Sequence, residues 1–408
     1  MVGMGSTGNL QTGLGTPRPA ADCQLYLIQQ EGVLFCEGQQ ELHALNTAAT
    51  IVWLCLEEGK AEAEIAHELS ETFGVSLDET QRAVRDVITD WRQRGFLAGF
   101  EAQRPPMTRP SDDAGPFPDV EAPLCWYSER MYRMLDTSVK IRYATSEQEE
   151  WVHPIVAHLA DDMPGLHQAE ISIVPHGEAV VLLVDGSPAD AVSHIGALGP
   201  SVKGNFLTLA LNNLPYLFQI HAGVLERNGS CLLLPAIAGS GKTSLTAGLM
   251  HAGWRYLSDE TAPIASDTLR VRPVPLALAS KPGAWPLLSP LFPEVGGLRT
   301  HLREDGKHVR YLVPPPALRA HDNGEGYDVR WVVFPSYQPE VKSELLPLSK
   351  VDTLRRLLAE CLSLPRRLDP GEIGKLVEWA ATVEGYGLPN SDLAEAVGLV
   401  NSLCKPSA

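Results

Sequence analysis

Cys231-Leu232-Leu233-Leu234-Pro235-Ala236-Ile237-Ala238-Gly239-Ser240-Gly241-Lys242-Thr243-Ser244-Leu245 is the stretch on which the reading of this 408-residue chain turns. Cys231 to Pro235 has the apolar composition of a buried strand. Ala236 to Thr243 is a loop of mostly small residues. A helix is predicted from there to about Ala252, with Leu245 and Leu249 four apart and Gly253 ending it. Strand, glycine-rich loop and helix in this order form the context of a Walker A phosphate loop. Small residues let backbone N–H groups curl around phosphate oxygens, and a helix start adds a favourable dipole. The expected phosphate contacts are Ala238, Gly239, Ser240, Gly241, Lys242, Thr243 and Ser244. Lys242 would pair with the outer phosphates, and the Thr243 hydroxyl would ligate Mg²⁺. Ala236 stands where the first glycine of such a loop usually lies, and it fits if its φ is negative.

Trp254–Leu257 predicts a second strand, ending at Ser258-Asp259-Glu260. Acids at the carboxyl end of a strand beside a phosphate loop are placed to manage metal and nucleophile. Upstream, Val139–Tyr143, Ala169–Pro175 and Ala179–Asp185 predict strands. Phe206–Leu217 predicts a helix leading into Gln219-Ile220-His221, and Trp126–Leu135 a short helix. Alternating strands and helices around the loop indicate an α/β core with a central sheet.

The amino-terminal part differs. Leu25–Ile28 and Val33–Cys36 read as paired strands broken at Glu31-Gly32, and three helices follow. Asn46 caps the first and Gly74 stops the second. Ser76-Leu77-Asp78-Glu79 opens the third as a capping box, and Phe96-Leu97 adds a last short strand. This is a small winged-helix-like α+β module. The expected organisation is a disordered tail over 1–21, this module over 22–100 and a Pro-rich linker over 101–137. A subdomain over 138–230 and the phosphate-loop domain over 231–404 complete it.

The net charge of −17 excludes a dedicated nucleic-acid binder, which needs a basic face. No apolar run is long enough for a membrane helix, and the first residues lack a signal-peptide pattern. Seven scattered cysteines without a CxxC pair point to free thiols in a reducing cytoplasm, not to a disulfide framework or zinc site.

With the loop, His221 and the acids in view, Val139 to Cys404 resembles the HPr kinase/phosphorylase superfamily, and within it the HPr-kinase-related proteins of peptide-modification gene systems. The resemblance is carried by His221-Ala222-Gly223, the loop Ala236–Leu245, and Gly253-Trp254-Arg255-Tyr256-Leu257-Ser258-Asp259-Glu260. Leu278-Ala279-Ser280-Lys281 and Arg330–Pro335 add to it. It implies that His221 sits beside the transferred phosphoryl group, with Lys242 as a further catalytic group. Asp259 would act as general base and Glu260 would help hold Mg²⁺; the family usually has a second Asp there. Lys281, and Lys307 in the basic Lys307-His308-Arg310 cluster, become expected substrate contacts.

The amino-terminal module resembles the PqqD-like family of leader-peptide recognition domains. Glu41-Leu42-His43-Ala44-Leu45-Asn46, Val52-Trp53, Glu64-Ile65 and Arg94-Gly95-Phe96-Leu97 carry that resemblance. Together the two resemblances imply a kinase of peptide-modification (RiPP) biosynthesis that phosphorylates a Ser or Thr hydroxyl of a captured precursor peptide. ATP, another nucleoside triphosphate or pyrophosphate would be the donor, Mg²⁺ the metal, and a homo-oligomer the assembly. A small-molecule kinase and a nucleotide-regulated peptide-binding chaperone are the alternatives.

Overall fold

The structure, a computed structural model, describes residues 16–100, 120, 123–237, 239–303, 305–360, 362–364 and 366–404. Ala238, residues 1–15 of the expected tail and most of the expected linker lie outside the described residues. The chain divides into two compact units, Met1–Pro110 with Leu368–Ile373, and Ser111–Arg367 with Gly374–Ala408.

In the first unit, β1 (Cys23–Ile28), β2 (Glu31–Cys36) and β3 (Glu41–Leu45) form an antiparallel sheet in that order. Helices α1 (Thr47–Glu57), α2 (Glu62–Phe73) and α3 (Leu77–Gln93) cover it. Asn46 Oδ1 accepts from the Ala49 N–H at 2.9 Å, and Ser76 Oγ accepts from the Glu79 N–H, so both expected caps form. The core gathers Leu34, Trp53, Leu56, Ile65, Ile88, Trp91 and Phe96. Trp53 and Trp91 meet edge to face at 5.2 Å.

Two expectations are corrected here. Folded structure reaches back before Asp22: the Ala20 N–H donates to Phe96 O and the Ala98 N–H to Arg18 O, each at 2.8 Å. Phe96 and Leu97 are fully buried, and their backbone groups need partners that the Arg18–Ala20 segment supplies. Cys23 and Cys36 face each other across the β1–β2 pair and are joined by a disulfide, with Cα atoms 4.1 Å apart. Thirteen residues separate them in sequence, and only the strand register makes them neighbours. Cys55, Cys125, Cys231 and Cys404 are free.

The second unit opens with a five-stranded sheet of β4 (Ser128–Met134), β5 (Thr137–Tyr143), β6 (His167–His176), β7 (Ala179–Val184) and β8 (Ser187–Val192), in chain order. The helix expected over Trp126–Leu135 is instead strand β4, so this sheet begins inside the expected linker. Tyr132 and Met134 point into the core with period two, while Glu129 and Arg133 occupy alternating positions on the other face. Helix α4 (Ser146–Val156) and helix α5 (Leu198–Asn212) follow. The expected Phe206–Leu217 helix begins earlier, and its last residues belong to the next strand.

The remaining strands are β9 (Tyr216–Ile220), β10 (Ala222–Arg227), β11 (Ser230–Pro235), β12 (Arg255–Ser258) and β13 (Ala262–Ala265), with helix α6 (Lys242–His251) between β11 and β12. They continue with β14 (Leu278–Ser280), β15 (Thr300–Leu302), β16 (His308–Leu312), β17 (Asp328–Tyr337), β18 (Leu346–Leu348), β19 (Leu362–Ser363) and β20 (Glu384–Asn390). The central sheet has the order β12-β10-β11-β17-β20-β18. β11, β17 and β20 are parallel, and β10 runs antiparallel to both β11 and β12. β11, β12, β17 and β20 therefore end at one edge of the sheet, and β10 starts there. Leu232, Leu234, Leu245, Leu249, Trp254 and Trp331 belong to the core that α6 shares with this sheet.

Candidate functional site

The β11–α6 connection is a glycine-rich loop that leads directly into the helix. Gly239 and Gly241 take φ of 95° and 89°, a region that side chains strain to enter. Ala236 has no positive φ, so the alanine in place of a glycine costs the loop nothing in backbone strain. Ser240 Oγ donates to Ile237 O at 2.8 Å, and the Tyr337 N–H donates to Ser240 O at 3.1 Å, tying the loop to the end of β17. The Leu245 N–H donates to Gly241 O, closing the first turn of α6. The N–H groups ahead of it have no intrahelical acceptor, and no side chain among the described residues caps them. These are the groups an anion would take.

The sheet topology brings four predicted residues to this loop. Ala222 pairs with Pro235 and Val224 with Ser258, so His221, the loop and Asp259 share one edge. Gly223 permits the tight fit: a Cβ there would stand 2.3 Å from Thr246 Oγ1 on α6 and 3.5 Å from Asp259 Oδ1. Lys242 Nζ donates to Asp259 O at 3.0 Å and lies 2.9 Å from His221 Nε2. His221 Nδ1 lies 2.7 Å from Glu260 O. A proton on Nδ1, donated to that carbonyl, leaves Nε2 free to accept from Lys242. Desolvation at the sheet end, and then the Lys242 charge, lower the His221 pKa and favour this neutral form.

Thr243 Oγ1 donates to Asp259 Oδ2 at 2.8 Å. Asp259 is 4% exposed, and its Oδ1 is buried with no hydrogen-bond partner among the described residues. Burial raises the Asp259 pKa, the neighbouring Glu260 charge adds to the rise, and Lys242 and Thr243 oppose it. A carboxylate of raised proton affinity, with one unsatisfied oxygen beside this glycine-rich loop, suits proton transfer.

Glu260 turns elsewhere. Its carboxylate pairs with Lys203 of α5, a lysine only 6% exposed and lying over the Tyr311 ring. Burial alone would raise the Glu260 pKa, but the Lys203 charge and hydrogen bond hold it down to about 2. Glu260 and Lys203 line a cavity of about 450 Å³ with Ser201, Arg303, Asp305 and Tyr311. Lys307 is held by Asp305 at 2.8 Å and borders this cavity only through that partner. Lys281 makes no hydrogen bond or ion pair with the loop cluster among the described residues. Lys203, Arg303 and Tyr311 went unnoticed in the sequence; they come from remote elements, and no local pattern marks them. Among the described residues, no group of three or more His, Cys, Asp or Glu could hold a metal ion.

Comparison with known proteins places part of the chain. Residues 31–97 match the family described as Coenzyme PQQ synthesis protein D (PqqD), so the first unit contains a PqqD-like domain. No curated protein matches the chain. A solved structure described as "TbiB1 in Complex with the TbiA(beta) Leader Peptide" is 23% identical, covering 21% of this chain and 98% of its own, with a TM-score of 0.20. Another, "Lasso peptide synthetase B1 complexed with the leader peptide", is 19% identical, covering 20% and 98%, also with a TM-score of 0.20. No helix among the described residues is long and apolar enough to cross a membrane.

Proposed function

We propose that the second unit transfers a phosphoryl group from a Mg²⁺-bound triphosphate to a Ser or Thr hydroxyl of a peptide, and that the PqqD-like domain captures this peptide. The observation that carries the reading is the meeting of Lys242, Thr243, His221 and Asp259 at one sheet edge, beside a helix start that no described side chain caps. The arrangement is similar to that implied for the HPr kinase/phosphorylase superfamily.

Thr243 Oγ1 and Asp259 Oδ2 are hard oxygen donors 2.8 Å apart, so this pair would hold Mg²⁺ and leave the partnerless Oδ1 for a proton. Held by Thr243 and Asp259, the ion would supply positive charge that offsets the charge of the phosphates. Glu260, the other expected metal ligand, is paired with Lys203. The loop amides hold the phosphates, and Lys242 exchanges His221 and Asp259 O for the outer phosphate oxygens. As the acceptor hydroxyl oxygen attacks the terminal phosphorus, its proton passes to Asp259 Oδ1 and the P–O bond to the leaving diphosphate breaks. Positioning and charge neutralisation do most of the catalytic work. In the first unit, β1 and β3 are the edge strands, and a leader segment adds to one of them by β-augmentation.

The test is mass spectrometry of a precursor peptide encoded beside this protein, incubated with the full chain, ATP and Mg²⁺. One added phosphate, absent with Lys242→Ala, is the expected result. A peptide that binds but never gains phosphate sinks the kinase half of the reading.

A further inference from the structure

Tyr337 is the last residue of β17, on the flank of β11 opposite to β10 and β12. His221, Lys242 and Asp259 occupy the β10–β12 flank. A phosphate chain lying across the start of α6, with its terminal phosphate toward Asp259, sends its other end toward the carboxyl ends of β17 and β20. Tyr337 stands there. Its Cβ lies 3.5 Å from the position a Cβ on Gly241 would take, and its N–H is bonded to Ser240 O. The side chain is nevertheless 53% exposed, while Phe334 and Pro335 just before it are buried. Ile237, in the loop itself, is 60% exposed. Two large apolar side chains thus face solvent beside a loop otherwise made of small residues. The Tyr337 backbone is fixed on both sides: it pairs with Asn390 of β20, and the next N–H, of Gln338, donates to Asn390 O at 2.9 Å.

We infer that Tyr337, flanked by Ile237, is the platform on which the base of the donor stacks, which makes the donor a nucleoside triphosphate and not pyrophosphate. The inference rests on the phosphate-loop reading above. An anchored aromatic ring with two torsions loses little freedom when a base covers it. An inorganic polyphosphate has no group that reaches it.

The experiment is calorimetric titration of the full chain, with Mg²⁺, by ATP and separately by inorganic tripolyphosphate. Wild type, Tyr337→Phe and Tyr337→Ala are compared. Wild type should bind ATP more tightly than tripolyphosphate. Tyr337→Ala should weaken ATP roughly 5- to 50-fold and tripolyphosphate less than about twofold, with Tyr337→Phe close to wild type. Equal weakening of both ligands would show that Tyr337 only braces the loop, and unchanged ATP affinity in Tyr337→Ala would show that no base rests there; either overturns the inference. Wild type binding neither ligand would remove the phosphate-loop reading itself, a different failure from the other two.

Discussion

Thr243 Oγ1 donates a 2.8 Å hydrogen bond to Asp259 Oδ2, while Asp259 Oδ1 is buried without a partner among the described residues. One carboxylate thus faces the loop with one oxygen and leaves the other available. Asp259→Asn keeps the shape and removes the proposed base. Phosphoryl transfer should fall by about 10²- to 10⁴-fold, the usual span for a general base. ATP binding should persist, as fluorescent-nucleotide titration would register. Unchanged transfer would remove Asp259 from the role of base.

Gly223 leaves space for α6, since an added Cβ would lie 2.3 Å from Thr246 Oγ1. Gly223→Ala should destabilise the second unit by about 1–3 kcal/mol through overpacking, read by urea denaturation. Adding Thr246→Ala should recover part of that loss, because it removes the clashing oxygen. A double variant less stable than Gly223→Ala would contradict the packing argument.

Lys203 and Glu260 form a largely buried pair. Lys203→Met leaves the carboxylate without its partner and should cost about 3–5 kcal/mol. Lys203→Met with Glu260→Gln should be clearly more stable than Lys203→Met alone. Thermal unfolding of the three proteins decides it.

His301 is 2% exposed, and burial, with the Arg299 charge second, pushes its pKa down to about 4 from 6.5. Trp151 and Tyr311 face its ring edge-on. The unfolded chain takes up this proton as pH falls past 6.5, and the fold resists until about 4. His301 therefore contributes full stability above 6.5 and loses it between those values, by about 3 kcal/mol in all. Urea midpoints at pH 7.5 and 5.0 should differ less in His301→Gln than in wild type. An identical pH difference in both would rule this histidine out as a source.

The Cys23–Cys36 disulfide closes the β1–β2 hairpin. Reduction should lower the stability of the first unit by about 2–3 kcal/mol, the loop-entropy value for so short a ring. Calorimetry with and without reductant measures it, and the second unit's transition should not move.

The strand–loop–helix at Cys231 to His251, the caps of α1 and α3 and the stripes of the first unit's helices were legible, because each depends on neighbours a few residues apart. β4 was misread as a helix because Ser128–Met134 mixes charged residues with Tyr132 and Met134, and only burial separates its two faces. The start of α5 was missed because Gly199 and Pro200 are poor helix signals, although the helix runs from Leu198.

By itself the sequence determined the strand–glycine loop–helix at Cys231 to His251, the acids after the following strand and the PqqD-like character of the first unit. All three are local patterns whose chemistry follows from spacing. Only the tertiary structure decided which acid faces the loop. Asp259 and Glu260 are adjacent in sequence, yet the end of β12 directs Asp259 toward Thr243, while Lys203, 57 residues away, draws Glu260 to the cavity. Strand order decided the rest: β10 inserted antiparallel between β11 and β12 brings His221 to Lys242, and β17 on the other flank brings Tyr337 to Gly241. Side chains that meet through sheet order are joined by burial and hydrogen bonding across the fold, and no local spacing records those contacts.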